Sequence, residues 1–212
     1  MAMAMLAWHA GLGGLATLAV SRAGYAAGNI GKHWVSDVAA LGLAGCLAGI
    51  LVHLRFEDEA DRVMALILAA ALATLARVDC RAFRLPDQLT LPLAALGLLA
   101  ASLKNPETFP SAAAGCLVFA VTWRLVDVLA PSSALPGGDF KLLAAAAAWT
   151  GPAGAAAALA VACAIAWLVG SRRDPHRCRR IPFGAYLAPT IWAVHLSIPP
   201  DLPSSVPLRL FG

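Results

Sequence analysis

The stretch LPGGDFKLL at positions 135–143 places a carboxylate at the start of a strongly apolar segment. Gly137 and Gly138 precede Asp139, and an alanine-rich run follows it. A charged carboxylate in lipid costs roughly 2.5 to 3.5 kcal/mol or more. Sixty residues earlier, Asp79 stands at the edge of another apolar segment. We therefore expect the two carboxylates to meet, with the rest of the chain forming a membrane scaffold around them.

The composition is typical of an integral membrane protein. Of the 212 residues, 60% are hydrophobic and 13% are charged. Soluble domains average about 45–50% hydrophobic and about 25% charged residues. No linker or internal repeat divides the chain, so we predict one domain over 1–212, with a motif-bearing core at about 70–190. The apolar stretches predict an all-α polytopic bundle of about eight transmembrane helices, at 4–20, 36–54, 63–78, 88–103, 111–130, 141–150, 153–170 and 182–199.

The helix count depends on Thr150-Gly-Pro-Ala-Gly154, which could be either a turn or a kink between 141–150 and 153–170. If it is a turn, the chain crosses eight times. The alanine run at 144–148 predicts a slim helix that neighbouring helices can approach closely.

The charged loops predict an orientation in the membrane. Basic connections at 21–35, 77–87 and 171–181 alternate with acidic or weakly basic ones. Basic loops favour the cytoplasmic side, and with eight crossings all three fall there. The same count puts Asp79 and Asp139 at the cytoplasmic face and both termini outside. The net charge of +4 is thus concentrated in membrane loops, so we expect no nucleic-acid partner.

The cysteines and histidines indicate no metal site. The five cysteines contain no CxxC pair, and His9, His53 and His195 are expected to be isolated from one another. Neither pattern has the spacing of a zinc site or a disulfide framework. We therefore predict no cofactor and no metal.

Other residues have structural interpretations. Arg124 and Asp127, three residues apart, predict a local ion pair near a helix end. Trp149 is expected to be an interfacial anchor. Asp87, which follows Pro86, is expected to cap a helix or form a turn.

Asp79 and Asp139 have a structural and a catalytic interpretation. Taken singly, aspartates at helix ends are common, and Asp139 could simply stabilise a helix N-terminus through the macrodipole. As a pair about 3 Å apart, two carboxylates share a proton because they do not both ionise easily. The charged one can act as a base toward water while the protonated one polarises a peptide carbonyl. Gly137 and Gly138 would allow close backbone approach to a partner or substrate.

Three motifs follow one another between residues 79 and 188. They are DCRAFRLPDQLTLP at 79–92, followed by LGL at 96–98; PGGDFKLLAA at 136–145, with Trp149; and RIPFGAYLA at 180–188. In this order they resemble the active-site regions of type IV prepilin peptidases, which are bacterial intramembrane aspartic proteases. The second corresponds to the pattern GxGDxK and the third to an IPFG segment.

The resemblance implies roles for five residues. Asp79 and Asp139 would be the catalytic aspartates, and Gly137, Gly138 and Lys141 would support them. For Lys141 the alternative is a lysine whose ammonium simply reaches the membrane interface.

The chain departs from the family pattern in two places. Pro136 replaces the first glycine of GxGD, and proline restricts the backbone φ. Long members carry an insert with paired CxxC motifs between their first two helices, which is associated with methylating the cleaved pilin. The loop at 21–35 is short and has no cysteine, which implies a peptidase-only form. Pro182 and Gly184 are expected to shape the start of the last helix.

We therefore expect an intramembrane aspartic endopeptidase of the bacterial cytoplasmic (inner) membrane. Its partners would be membrane lipid and a prepilin or pseudopilin with a single N-terminal apolar helix, cut at the cytoplasmic border. One alternative is a non-catalytic assembly component of a pilus or secretion system, which Pro136 keeps open. Another is a small transporter with Asp79 and Asp139 as a proton relay, for which no inverted repeat is visible.

Overall fold

The chain forms long helices joined by short connections. The computed structural model describes residues 2–27, 34–104, 106–129, 137–171 and 181–198. Within these ranges there is no strand, and the all-α prediction is confirmed. The seven helices there are α1 (Ala2–Ala27), α2 (Trp34–Arg55), α3 (Glu59–Ala82), α4 (Asp87–Lys104), α5 (Phe109–Leu129), α6 (Gly137–Ser171) and α7 (Phe183–Ser197).

Five of these helices, α1, α2, α3, α5 and α6, are long and apolar enough to cross a membrane. Large apolar side chains on them are exposed, including Leu43, Leu47 and Trp167. Soluble proteins rarely expose extensive apolar patches, whereas lipid accommodates them. The chain is therefore a helical membrane protein.

The described residues form seven helices and not the predicted eight, because 141–150 and 153–170 follow one another across a kink in α6. Only Gly151 departs from helical backbone inside it, with φ 72° and ψ 170°. A positive φ suits glycine, which has no Cβ, and the next residue, Pro152, has no backbone N–H to donate. The Gly-Pro pair therefore kinks α6.

The helices group into two units, residues 1–89 and 90–212, with the boundary inside α4. In the first unit, the backbones of α1 and α2 are in direct contact. A Cβ atom at Gly45 would lie 2.8 Å from the carbonyl carbon of Gly13, and one at Gly49 would meet the α1 backbone at a similar distance. Small residues of this kind let membrane helices approach closely. The predicted single domain stays a prediction.

Of the three helices of the first unit, α3 is the most buried. Leu68, Leu75 and Val78 on α3 have almost no exposed surface. Val78 forms a buried cluster with Tyr25 of α1 and Leu41 of α2. The last turn of α3 is therefore packed against both other helices.

In the second unit, α6 packs against α5 and α7. The alanines at 145–148 are buried, as expected for a slim helix, and a Cβ atom at Gly115 of α5 would lie 3.0 Å from Ala147. From α7, the Thr190 hydroxyl donates a hydrogen bond to the Ala158 carbonyl at 3.1 Å. Small residues thus bring both neighbours close to α6.

Trp149 packs inside the second unit. Its indole Nε1 donates a hydrogen bond to the Leu93 carbonyl of α4 at 2.8 Å. A Cβ atom at Gly97 would lie 2.6 Å from Trp149 Cδ1, so glycine makes room for the ring. The prediction of an interfacial anchor missed this packing role.

Candidate active site

Asp79 lies in the last turn of α3 and is 6% exposed. Its backbone carbonyl accepts a hydrogen bond from the Phe83 N–H at 2.9 Å, and Phe83 has a left-handed φ of 52°. This hydrogen bond closes the C-terminus of α3. A carboxylate there faces the negative end of the helix dipole, so the dipole gives no reason for an aspartate at this position.

Asp37, in the first turn of α2, is the centre of a polar cluster next to that turn. It is 1% exposed. The Tyr25 hydroxyl of α1 donates to its Oδ2 at 2.6 Å. Arg81 of α3 donates to both carboxylate oxygens, from Nη2 at 2.9 Å and from Nε at 3.3 Å, and Arg77 also donates to Oδ1. One carboxylate therefore connects three helices through residues on either side of Asp79.

Two polar groups in the first unit were missed from the sequence. Asp37 starts the apolar run of α2 just as Asp139 starts that of α6, so the same signal was present. His9 and His53, expected to be isolated, stack with ring centroids 4.8 Å apart, and His9 also contacts Glu59 Oε2 at 3.3 Å. The expected isolation is wrong for this pair. Among the residues that the structure describes, no group of three or more His, Cys, Asp or Glu could hold a metal ion.

Asp139 is the third residue of α6 and is half-buried. Gly137 and Gly138 form the helix start before it. A Cβ atom at Gly137 would lie 3.0 Å from Trp123 Cε2 of α5 and closer still to its Nε1. The Lys141 ammonium lies 4.9 Å from the centroid of the same ring, within cation–π distance. Trp123 thus contacts the first turn of α6 at two points, and glycine at 137 is needed for packing.

The predictions for the start of the last helix and for the local ion pair are confirmed, because Pro182 is the N-cap residue of α7. α4 begins at Asp87, and the capping role of this residue stays a prediction. Arg124 and Asp127 form an exposed ion pair at 3.6 Å. Pro136, which departs from the motif, and the arginines of the basic connection at 171–181 lie outside the described ranges.

Asp79 belongs to the first unit and Asp139 to the second. Each lies within one turn of a helix end, as the sequence predicted. Their meeting as a proton-sharing pair stays a prediction.

The sequence as a whole matches a known family. A model of the Type IV leader peptidase family matches residues 66–171, half of the chain, and the match includes both Asp79 and Asp139. The chain belongs to this family.

Several curated relatives of this leader peptidase family member carry the name prepilin leader peptidase/N-methyltransferase. The one from Xanthomonas campestris pv. campestris is 36% identical over 140 residues, which are 61% of this chain and 48% of that protein. Those from Aeromonas hydrophila and Aeromonas salmonicida are 35% and 33% identical over 162 residues, 71% of this chain and 54% of each relative. The chain therefore spans about half the length of these relatives. No solved structure gives a significant match.

Proposed function

We propose that the chain is an aspartic endopeptidase that removes the basic leader from prepilin-like proteins. The observation that carries the proposal is the family match over 66–171, which contains both motif aspartates. The name shared by the relatives supports the choice of substrate. A substrate with a single N-terminal apolar helix would enter laterally from lipid and present its leader at the membrane border.

Asp79 and Asp139 are the proposed catalytic pair. Within hydrogen-bond reach of each other, they would share one proton. The ionised carboxylate takes a proton from water, which attacks the peptide carbonyl, while the protonated carboxyl group donates a hydrogen bond to the carbonyl oxygen. A proton then passes to the leaving nitrogen, so the peptide bond is hydrolysed without an acyl-enzyme.

Gly137, Gly138 and Lys141 are the proposed supporting residues. The contacts of Gly137 and Lys141 with Trp123 support this role, since they restrain the helical turn that carries Asp139. Fixed geometry matters because small misplacements of a reacting group reduce the rate steeply.

We propose further that this chain lacks the methyltransferase activity that the relatives' name includes. α1 ends at Ala27 and α2 begins at Trp34, and no cysteine lies between them. Long members of the family carry a CxxC insert at this point of the chain. Mass spectrometry of the mature pilin tests the proposal, which an N-methylated product formed by this chain alone would contradict.

The reaction is proposed to occur at the cytoplasmic face of the inner membrane. Two helices, α4 and α5, lie between Asp79 and Asp139 in the chain. α5 is long and apolar enough to cross the membrane, and if α4 crosses as well, both carboxylates reach one face, whether the kinked α6 crosses once or twice. The basic connection at 77–87 favours the cytoplasm for that face. Having both termini outside requires an even number of crossings, which the seven helices give if each of them crosses and the kinked α6 crosses twice.

Leader cleavage in cells that co-express this chain with candidate prepilins or pseudopilins tests the function, with a mobility shift as the readout. Asp79→Asn and Asp139→Asn should each reduce cleavage by about 100-fold or more and leave the protein inserted in the membrane. Asp127→Asn is the control, because that carboxylate is exposed and forms only a local ion pair. Normal cleavage by either active-site variant would rule out the catalytic pair.

A strain deleted for the gene separates the peptidase from an assembly component. Loss of a peptidase leaves unprocessed prepilin, whereas loss of an assembly component leaves mature pilin that is not assembled. The second result would contradict the proposal.

A further inference from the structure

The buried carboxylate of Asp37 binds two arginines at the end of α3. Its two oxygens accept hydrogen bonds from one tyrosine and two arginines, and the carboxylate is 1% exposed, whereas both arginine side chains are 37% exposed. Arg81 approaches with Nε and Nη2 directed at different oxygens, and this two-point geometry gives directional strength to an arginine–carboxylate pair. The cluster therefore fixes position as well as charge.

The two arginines lie on the face of α3 opposite Asp79. At 3.6 residues per turn, Arg77 and Arg81 are about 40° apart around the helix axis, and Asp79 is about 160° from each. Fixing both arginines to α1 and α2 therefore fixes the rotation of the last turn about its axis. That rotation determines the direction in which the Asp79 carboxylate projects.

Charge balance makes Asp37 the critical member of the cluster. The cluster contains two guanidinium groups and one carboxylate, with Tyr25 contributing only a neutral hydroxyl. Removing the carboxylate leaves two neighbouring guanidinium groups on α3 without the counter-charge that they share, and an ion pair that loses one partner leaves an uncompensated charge. Helix ends are also where backbone hydrogen bonds are incomplete, so the cluster adds to the packing of Val78 in holding this turn.

We propose that Asp37 is a positioning residue for Asp79: it sets the rotation and order of the last turn of α3 through Arg77 and Arg81. The proposal rests on the function proposed above, in which Asp79 is catalytic. Asp37 itself takes no part in the proton transfers.

Kinetics of leader cleavage by the detergent-solubilised full chain test the proposal. Asp37→Asn should lower kcat by about 100-fold per folded molecule and leave KM nearly unchanged, because the substrate-binding surface is intact. Asp37→Glu should recover part of the loss, since it restores the charge. Asp127→Asn, which removes an exposed carboxylate from an ion pair on α5, is the matched control and should leave kcat unchanged.

Tyr25→Phe is the variant to test if Asp37→Asn does not insert into the membrane or fold. It removes one hydrogen bond to Oδ2 and keeps all three charges, and should lower kcat by about fivefold. An unchanged kcat per folded molecule in the folded variants would overturn the proposal, as would an equal loss in Asp37→Glu and Asp37→Asn.

A second measurement does not depend on catalysis. In a chain whose native cysteines are replaced by serine, Asp79→Cys is labelled with a water-soluble maleimide. Asp37→Asn should raise the labelling rate about tenfold, because the last turn opens more often, and Asp127→Asn should not. Equal rates in both backgrounds would overturn the positioning role. If Asp79→Asn alone still cleaves leaders, the proposed function fails, and the labelling result still decides whether Asp37 positions this turn.

Discussion

Replacing Gly45 with alanine tests the direct contact between α1 and α2. The added Cβ would lie 2.8 Å from the Gly13 carbonyl carbon and closer still to its oxygen, whereas carbon atoms pack at about 3.5–4.0 Å. Both colliding atoms belong to the backbone, so no side-chain rotation relieves the contact. The two helices would therefore have to separate by roughly 1 Å at this crossing.

Two opposing free-energy terms set the size of the effect. Alanine is favoured over glycine in a helix interior by about 0.5–1 kcal/mol. Overpacking a close contact costs about 1–3 kcal/mol, and the Thr17 hydroxyl, 2.5 Å from the same position, adds a second collision. We therefore expect Gly45→Ala to lower the free energy of unfolding by about 1–2 kcal/mol.

Gly42→Ala is the matched control, because Gly42 lies about one turn earlier on α2 with no atom within 4 Å of its Cβ position. It should raise the free energy of unfolding by about 0.5–1 kcal/mol through helix propensity alone. The assay is SDS titration of the detergent-solubilised protein, followed by tryptophan fluorescence. Equal changes for the two variants would refute the close contact of α1 and α2.

Two further substitutions test contacts near the motifs. Trp149→Phe keeps an aromatic ring beside Gly97 but removes the hydrogen bond to Leu93, so the free energy of unfolding should fall by about 1 kcal/mol in the same titration; an unchanged value would show that this bond adds no stability. Phe83→Gly removes the strain of a left-handed φ and should raise the free energy of unfolding by about 1 kcal/mol. A fall would mean that the Phe83 side chain contributes more through packing than its backbone costs.

Most helices could be predicted because a membrane span depends on local hydropathy. The stretch 36–54 corresponds to α2, Trp34–Arg55, and 111–130 corresponds to α5, Phe109–Leu129. The count failed at Gly151-Pro152 because the same dipeptide suits both a turn and a kink. What differs is the packing around it: a Cβ atom at Gly115 would lie 3.2 Å from Pro152 Cβ, and no local pattern contains that contact.

Asp79 and Asp139 could be predicted as candidate catalytic residues because each belongs to a contiguous motif, whereas the surroundings of Asp37 depend on distant partners. Its hydrogen-bond donors lie 12, 40 and 44 positions away in the chain. A carboxylate beside an apolar run stands out because burying its charge is unfavourable, but the sequence does not show which arginines compensate that charge. Local hydropathy therefore identifies such a residue without assigning its role.

Gly137 lies inside a motif, but its contact was likewise not predictable from the sequence. A glycine before a catalytic aspartate predicts close approach by a partner or substrate, because a missing Cβ leaves space. Here Trp123 occupies that space, and its ring also contacts the Lys141 ammonium. The same two motif positions thus also pack the start of α6, so we expect a substitution at either to disturb Asp139 through this packing. Loss of activity in a Gly137 variant would therefore not identify Gly137 as a substrate contact. If a second substitution, of Trp123 by a smaller residue, restored the activity, the role of Gly137 would be packing.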